Sequence, residues 1–211
     1  MRTKSPRVLL VLGWYDYRLH RGIEKYAQEH GWHLSEDLAR EKVIPWGWDG
    51  DGILAWLGAG DDLANFVVQA GKPTVDFSFR RPELKFARVL EDTAETARLV
   101  ADHFLSRCFR HYLFYSDARN WIYDERGEGF RKMLETAGRG VKWLRWHESS
   151  AYRTDRKAWK GKRDGLAGEI KRAPKPLAVF AATDGLAWEV VETCEAGGIA
   201  VPENVAVIRA V

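Results

Sequence analysis

The chain has 211 residues, 45% of them apolar and 30% charged, with 19 Gly, 7 Pro, 10 Trp and 2 Cys. That balance excludes a disordered chain, a collagen and a disulfide-stapled scaffold, and it supplies the apolar side chains for one large domain or two small lobes. The formal charge of +3 is too small for a whole-molecule nucleic-acid footprint, and no apolar run approaches the roughly 20 residues that a bilayer span needs.

In chain order, Arg7 to Leu12 (RVLLVL) reads as a strand buried on both faces of a parallel sheet. Asp16 to His30 turns helical, with Leu19, Ile23, Tyr26 and Ala27 on one face and Gly31 as the stop. Trp32 to Ser35 and Gly52 to Leu57 follow as strands, Asp61 to Ala70 as a helix ended by Gly71, and Pro73 to Phe77 as a strand. Phe79 to Lys85 carries Arg, Pro and Glu without a period and reads as a loop; Phe86 to Leu90 is the next strand and Thr93 to Ser106 a long helix. The rhythm then restarts: strand Tyr112 to Tyr115, helix Asp124 to Ala137, strand Val141 to Arg145, helix Asp155 to Arg172, strand Leu177 to Ala182, helix Asp184 to Ala196, and strand Val205 to Val211. Such alternation with short turns predicts an α/β fold of two doubly wound parallel-sheet lobes, residues 1–91 and 92–211.

In open α/β sheets ligands sit beyond the carboxyl ends of the strands, so residues just after each strand are the candidates. The first lobe offers Trp14, Tyr15 and Asp16, then Trp56, then Asp76 and Phe77. Glu91 and Asp92 follow the crossover, and the second lobe offers Asn120, Trp121 and Arg126, then Trp143 and Trp146, then Thr183 and Asp184. Aromatic faces beside carboxylates and an arginine suit a polyhydroxylated ring. The same residues also have structural readings, the tryptophans as core and Asp92 and Asp184 as helix N-caps.

Enzyme signatures are missing: there is no G-x-S-x-G elbow, no H-E-x-x-H and no G-x-x-x-x-G-K-[ST], and Gly13 stands alone where a dinucleotide needs several glycines. His30 with His33, and Cys108 with His111, are pairs, short of the roughly four ligands of a closed metal site. No metal or cofactor is expected. The basic run Arg153, Arg156, Lys157, Lys160, Lys162 and Arg163, with Trp159 inside it, has the residue types of a nucleic-acid surface but reads as the solvated faces of a helix. Two distant cysteines and the lack of a signal sequence suggest a cytoplasmic chain.

Three stretches carry a family resemblance: RVLLVLGWYDYRLHRGIEKYAQEHG at Arg7 to Gly31, NWIYDERGEGFRKML at Asn120 to Leu134, and AVFAATDGLAWEVVETCEAGGIAVPENVAVI at Ala178 to Ile208. The chain resembles the LacI/GalR-type periplasmic-binding-protein-like sensor domain, most nearly the N-terminal sugar-binding domain of AraC-type xylose-responsive transcriptional regulators. The resemblance implies a sugar effector, a pentose or similar sugar, held in a cleft between two lobes by Trp14, Tyr15, Asp16, Phe77, Asp92, Trp121, Arg126, Thr183 and Asp184. It also implies a homodimer that touches neither membrane nor cofactor, and contact with DNA only through a domain that this chain lacks. Where the family continues its last strand as Val-Ile-Gly-x-Asp, this chain reads Val207-Ile208-Arg209-Ala210-Val211, so the fold is expected to be truncated at the C-terminus. The alternatives are a small Rossmann-like or flavodoxin-like enzyme using Asp16 and Arg126, and a truncated remnant that binds nothing.

Overall fold

A computed structural model describes residues 5–36, 38, 43–58, 60–117, 120–146 and 156–210, apart from the side chains of 156, 158 and 159. The chain divides into two compact units, Met1–Leu90 and Glu91–Val211. The first contains β1 (Arg7–Leu12), α1 (Tyr17–Glu29), β2 (His33–Ser35), β3 (Gly52–Trp56), α2 (Asp61–Ala70), β4 (Thr74–Asp76) and β5 (Ala87–Arg88). The second contains α3 (Thr93–Ser106), β6 (His111–Asp117), α4 (Trp121–Thr136), β7 (Lys142–Trp146), α5 (Arg156–Arg172), β8 (Leu177–Ala181), α6 (Asp184–Ala196) and β9 (Val205–Arg209).

Each unit is built on a parallel sheet, in the order β2-β1-β3-β4-β5 in the first and β7-β6-β8-β9 in the second. Both orders reverse direction once, between β1 and β3 and between β6 and β8, and such a switch point opens a crevice at the carboxyl ends of the two strands. The alternation of side chains along β1 explains why both faces are covered. Leu9 and Val11 join Ile53, Ala55, Phe66 and Val67 on the α2 face, whereas Leu10 and Leu12 meet Ile23 of α1 on the other. In the second unit Phe114 and Phe180 face Phe130 of α4, with ring centroids 5.1 to 6.5 Å apart. Tyr115, one residue on, turns to the opposite face, where its hydroxyl donates to Glu189 of α6.

Close backbone approach fixes α4 on the sheet. A Cβ on Gly127 would lie 2.4 Å from the ring of Trp143 and 2.5 Å from that of Phe114, so only glycine fits there. The α4 helix begins three residues earlier than its periodicity suggested, because the Asn120 side chain accepts from the Ile122 amide and caps it. The cap of α6 is Thr183, whose hydroxyl accepts from the Leu186 amide, and not Asp184, which is the first helical residue. Asp92 does cap α3 as expected.

Candidate functional site

At the switch point of the first sheet, β1 is followed by Gly13, whose amide donates to the Trp56 carbonyl at the end of β3. This brings Trp14 beside Trp56, with ring centroids 5.7 Å apart and planes tilted by 44°. Trp14 is 53% exposed and Tyr15 55%, the opposite of core aromatics. Gly58 lets the Trp56 ring lie over the backbone, since a Cβ there would stand 2.1 Å from that ring. Phe77 packs half-buried among the residues around Leu10 and Leu12, on the side where Trp56 also packs.

Asp16 has a defined local duty. Its carboxylate accepts from the amides of Arg18 and Leu19, capping α1, and also pairs with the Arg18 guanidinium at 3.0 Å. The Arg18 hydrogen bond and the Leu19 amide hold its carboxyl below the usual carboxylate range, so near neutrality it is ionised and acts as an acceptor. A carboxylate in that state is not poised to deliver a proton, which weakens the role the enzyme alternative gives it.

Asp76, which also follows the strand pattern, is wholly buried. It accepts from the amides of Leu57 and Ser78, from the Ser78 hydroxyl, and from Arg88 at 2.8 Å. Arg88 in turn donates to the carbonyls of Ser78, Arg80, Arg81 and Leu84, so this pair ties down the aperiodic loop after β4.

In the second unit the switch-point group is Arg126. It is 3% exposed, donates Nη1 to the Ala182 carbonyl just beyond β8 at 2.9 Å, and forms an ion pair through Nη2 with Glu91. Among the described residues its buried Nε has no hydrogen-bond partner. An unused donor on a buried guanidinium is costly. Trp121 opens α4 and is half-buried, Thr183 is spent on its cap, and Asp184 pairs with Arg209. Arg209 is the residue that stands where the resembling family has Gly.

Among solved structures, a xylose-binding transcription activator is similar over 99% of this chain and 55% of its own, at 21% identity and a TM-score of 0.73. This chain therefore spans little more than half of that one. A LacI-family regulator from Enterococcus faecium with bound ribose is similar over 96% of this chain and 76% of its own, at 20% identity and a TM-score of 0.62. A periplasmic binding protein/LacI regulator from Alkaliphilus metalliredigens complexed with D-xylulofuranose covers 97% and 77%, at 18% identity and a TM-score of 0.57. No curated protein matches the sequence. The model of the periplasmic binding protein-like domain matches residues 101–211, just over half of the chain. The chain belongs to that family.

Membership agrees with two parallel-sheet units. Within the first unit the structure brings together Trp14, Tyr15 and Asp16 at the end of β1, with Trp56 beside them. Within the second it brings Arg126 to the Ala182–Thr183 turn and to Glu91, which precedes Asp92. Sequence reasoning did not find Glu91 as the partner of Arg126, since the two are 35 residues apart and meet only once α4 is laid on the sheet.

Other features lie off these edges. A groove of about 410 Å³ between α5 and α6 is lined by Lys160, Arg163, Asp164 and Lys171, and another of about 300 Å³ opens at the amino ends of β6 and β8. Of the basic run, Lys162 is no solvated residue: it is 4% exposed and donates to Glu189 at 2.8 Å. Arg153 and the side chains of Arg156 and Trp159 lie outside the described residues, as does Val211 at the end of the predicted last strand. Among the described residues no helix is long and apolar enough to cross a membrane.

Proposed function

We propose that the chain is the sugar-sensing region of a transcriptional regulator, with residues 1–91 and 92–211 as its two lobes. The contacts come from Trp14, Tyr15, Asp16 and Phe77 in the first lobe and from Asp92, Trp121, Arg126, Thr183 and Asp184 in the second. The observation that carries this reading is the half-exposed Trp14 set against Trp56 at the switch point of the first sheet. An indole face covers the C–H face of a sugar ring, while the ionised Asp16 accepts from hydroxyls and the Arg126 guanidinium supplies a cationic donor.

The effector is of pentose size, supported by the xylose, xylulofuranose and ribose named for the similar structures. Such a regulator works in the cytoplasm as a homodimer, its DNA contacts belong to a separate domain, and ligand acts by favouring one member of a conformational equilibrium. Titration calorimetry with xylose, arabinose, ribose and a set of hexoses tests the reading. A pentose should bind and change the tryptophan fluorescence, and Trp14→Ala should weaken it by about tenfold or more, in line with the loss of a stacked aromatic contact worth about 1.5 kcal/mol. The absence of binding by every sugar in the panel would refute it.

A further inference from the structure

A second set of donor atoms gathers in the first unit, where α1 passes the end of β2. His20 and Glu24 stand four residues apart and so share one face of α1, and Glu36 follows β2 directly. Nε2 of His20 lies 3.2 Å from Oε1 of Glu36 and 3.7 Å from Oε1 of Glu24. One donor atom from each residue lies within 4.8 Å of the other two. The His20 and Glu36 side chains are 11% and 12% exposed, whereas Glu24 is 52% exposed and leaves a way in from solvent.

The two His20 distances are close to those of a first coordination shell. Zinc takes imidazole nitrogen and carboxylate oxygen at about 2.0 to 2.2 Å, which in a tetrahedral shell sets neighbouring donors roughly 3.3 Å apart. Two carboxylates balance the charge of a dication, and an imidazole donor selects first-row transition metals over magnesium or calcium. Nδ1 of His20 lies 3.1 Å from the Tyr15 hydroxyl, whose ring meets the imidazole edge-on at 5.5 Å. With Nδ1–H donated to Tyr15, the Nε2 lone pair faces the two carboxylates, the outer-shell arrangement that orients a metal-binding histidine. We propose that His20, Glu24 and Glu36 bind a divalent transition cation of the zinc type, with Tyr15 orienting the imidazole and the fourth position open to water.

Cobalt(II) is the probe, added to the whole chain after chelator treatment and removal of any affinity tag. The expected result is one tightly bound equivalent with the intense visible absorption of a four-coordinate site, released by zinc. Glu24→Gln, an exposed change that leaves the packing of α1 alone, should weaken cobalt binding by about tenfold or more, and Tyr15→Phe by about tenfold. The proposal is overturned if the wild-type chain takes up no cobalt, or if Glu24→Gln binds it as tightly as the wild type.

Discussion

The two carboxyl edges divide their labour differently. In the first unit the buried ion pair, Asp76 with Arg88, sits on β4 and β5, away from the switch point between β1 and β3, which is left to the exposed aromatics Trp14 and Tyr15. In the second unit the buried arginine stands at the switch point itself, tied to the Ala182 carbonyl and to Glu91, with an Nε–H that has no partner among the described residues. The buried ion pair and the exposed aromatics are thus separate groups in the first unit, whereas in the second the buried arginine itself occupies the switch point.

The largest expected effect tests the first unit. Arg88→Ala leaves the fully buried Asp76 carboxylate without its cation, and breaking a buried pair in this way costs about 3–5 kcal/mol. Urea unfolding should register that loss, while Trp14→Ala, which removes an exposed ring, should leave the midpoint almost unmoved; equal losses in the two variants would erase the distinction. In the second unit, Arg126→Ala should cost about 1.5–3 kcal/mol of stability through its charged hydrogen bonds and weaken sugar binding in the same variant. Loss of binding with an unchanged unfolding midpoint would mean that Arg126 serves the ligand alone.

The smallest effect concerns the amino-terminal end of the second sheet, remote from either switch point. Lys142 and then Arg172 hold the Glu169 carboxyl below the usual carboxylate range. Its native pKa lies beneath its unfolded one, so the stabilisation is complete above the unfolded value and is lost as the pH falls through the native one. Unfolding midpoints measured between about pH 5 and pH 3 should therefore drop less steeply in Glu169→Gln than in the wild type, and sugar affinity near neutrality should be the same in both.

The fold was legible because its signals are local. The α2, α3 and α6 helices run over the residues their periodicity marked, with Gly71 at φ 59° ending the first of them and Asp92 capping the second. The start of α4 was not legible, since Trp121, Ile122 and Tyr123 have no helical bias and Asn120 could as well have faced a ligand. The candidate site was legible only as residue types after strands. Whether Asp76 contacts a sugar or anchors a loop depends on Arg88, twelve residues away, and whether His20 is a surface helix residue depends on Glu36, sixteen away. Pairings of that kind are fixed by tertiary packing, and no spacing in the chain announces them.

Lys162, Glu189 and Tyr115 join α5, α6 and β6 through a buried ammonium, a carboxylate that serves both donors, and a phenol. If α5 slid along α6 by one turn, about 5.4 Å, the buried ammonium would lose the Glu189 carboxylate, and an unpaired buried charge is costly. The lock has a single register. Sliding of α5 over α6 in the second unit is thereby opposed.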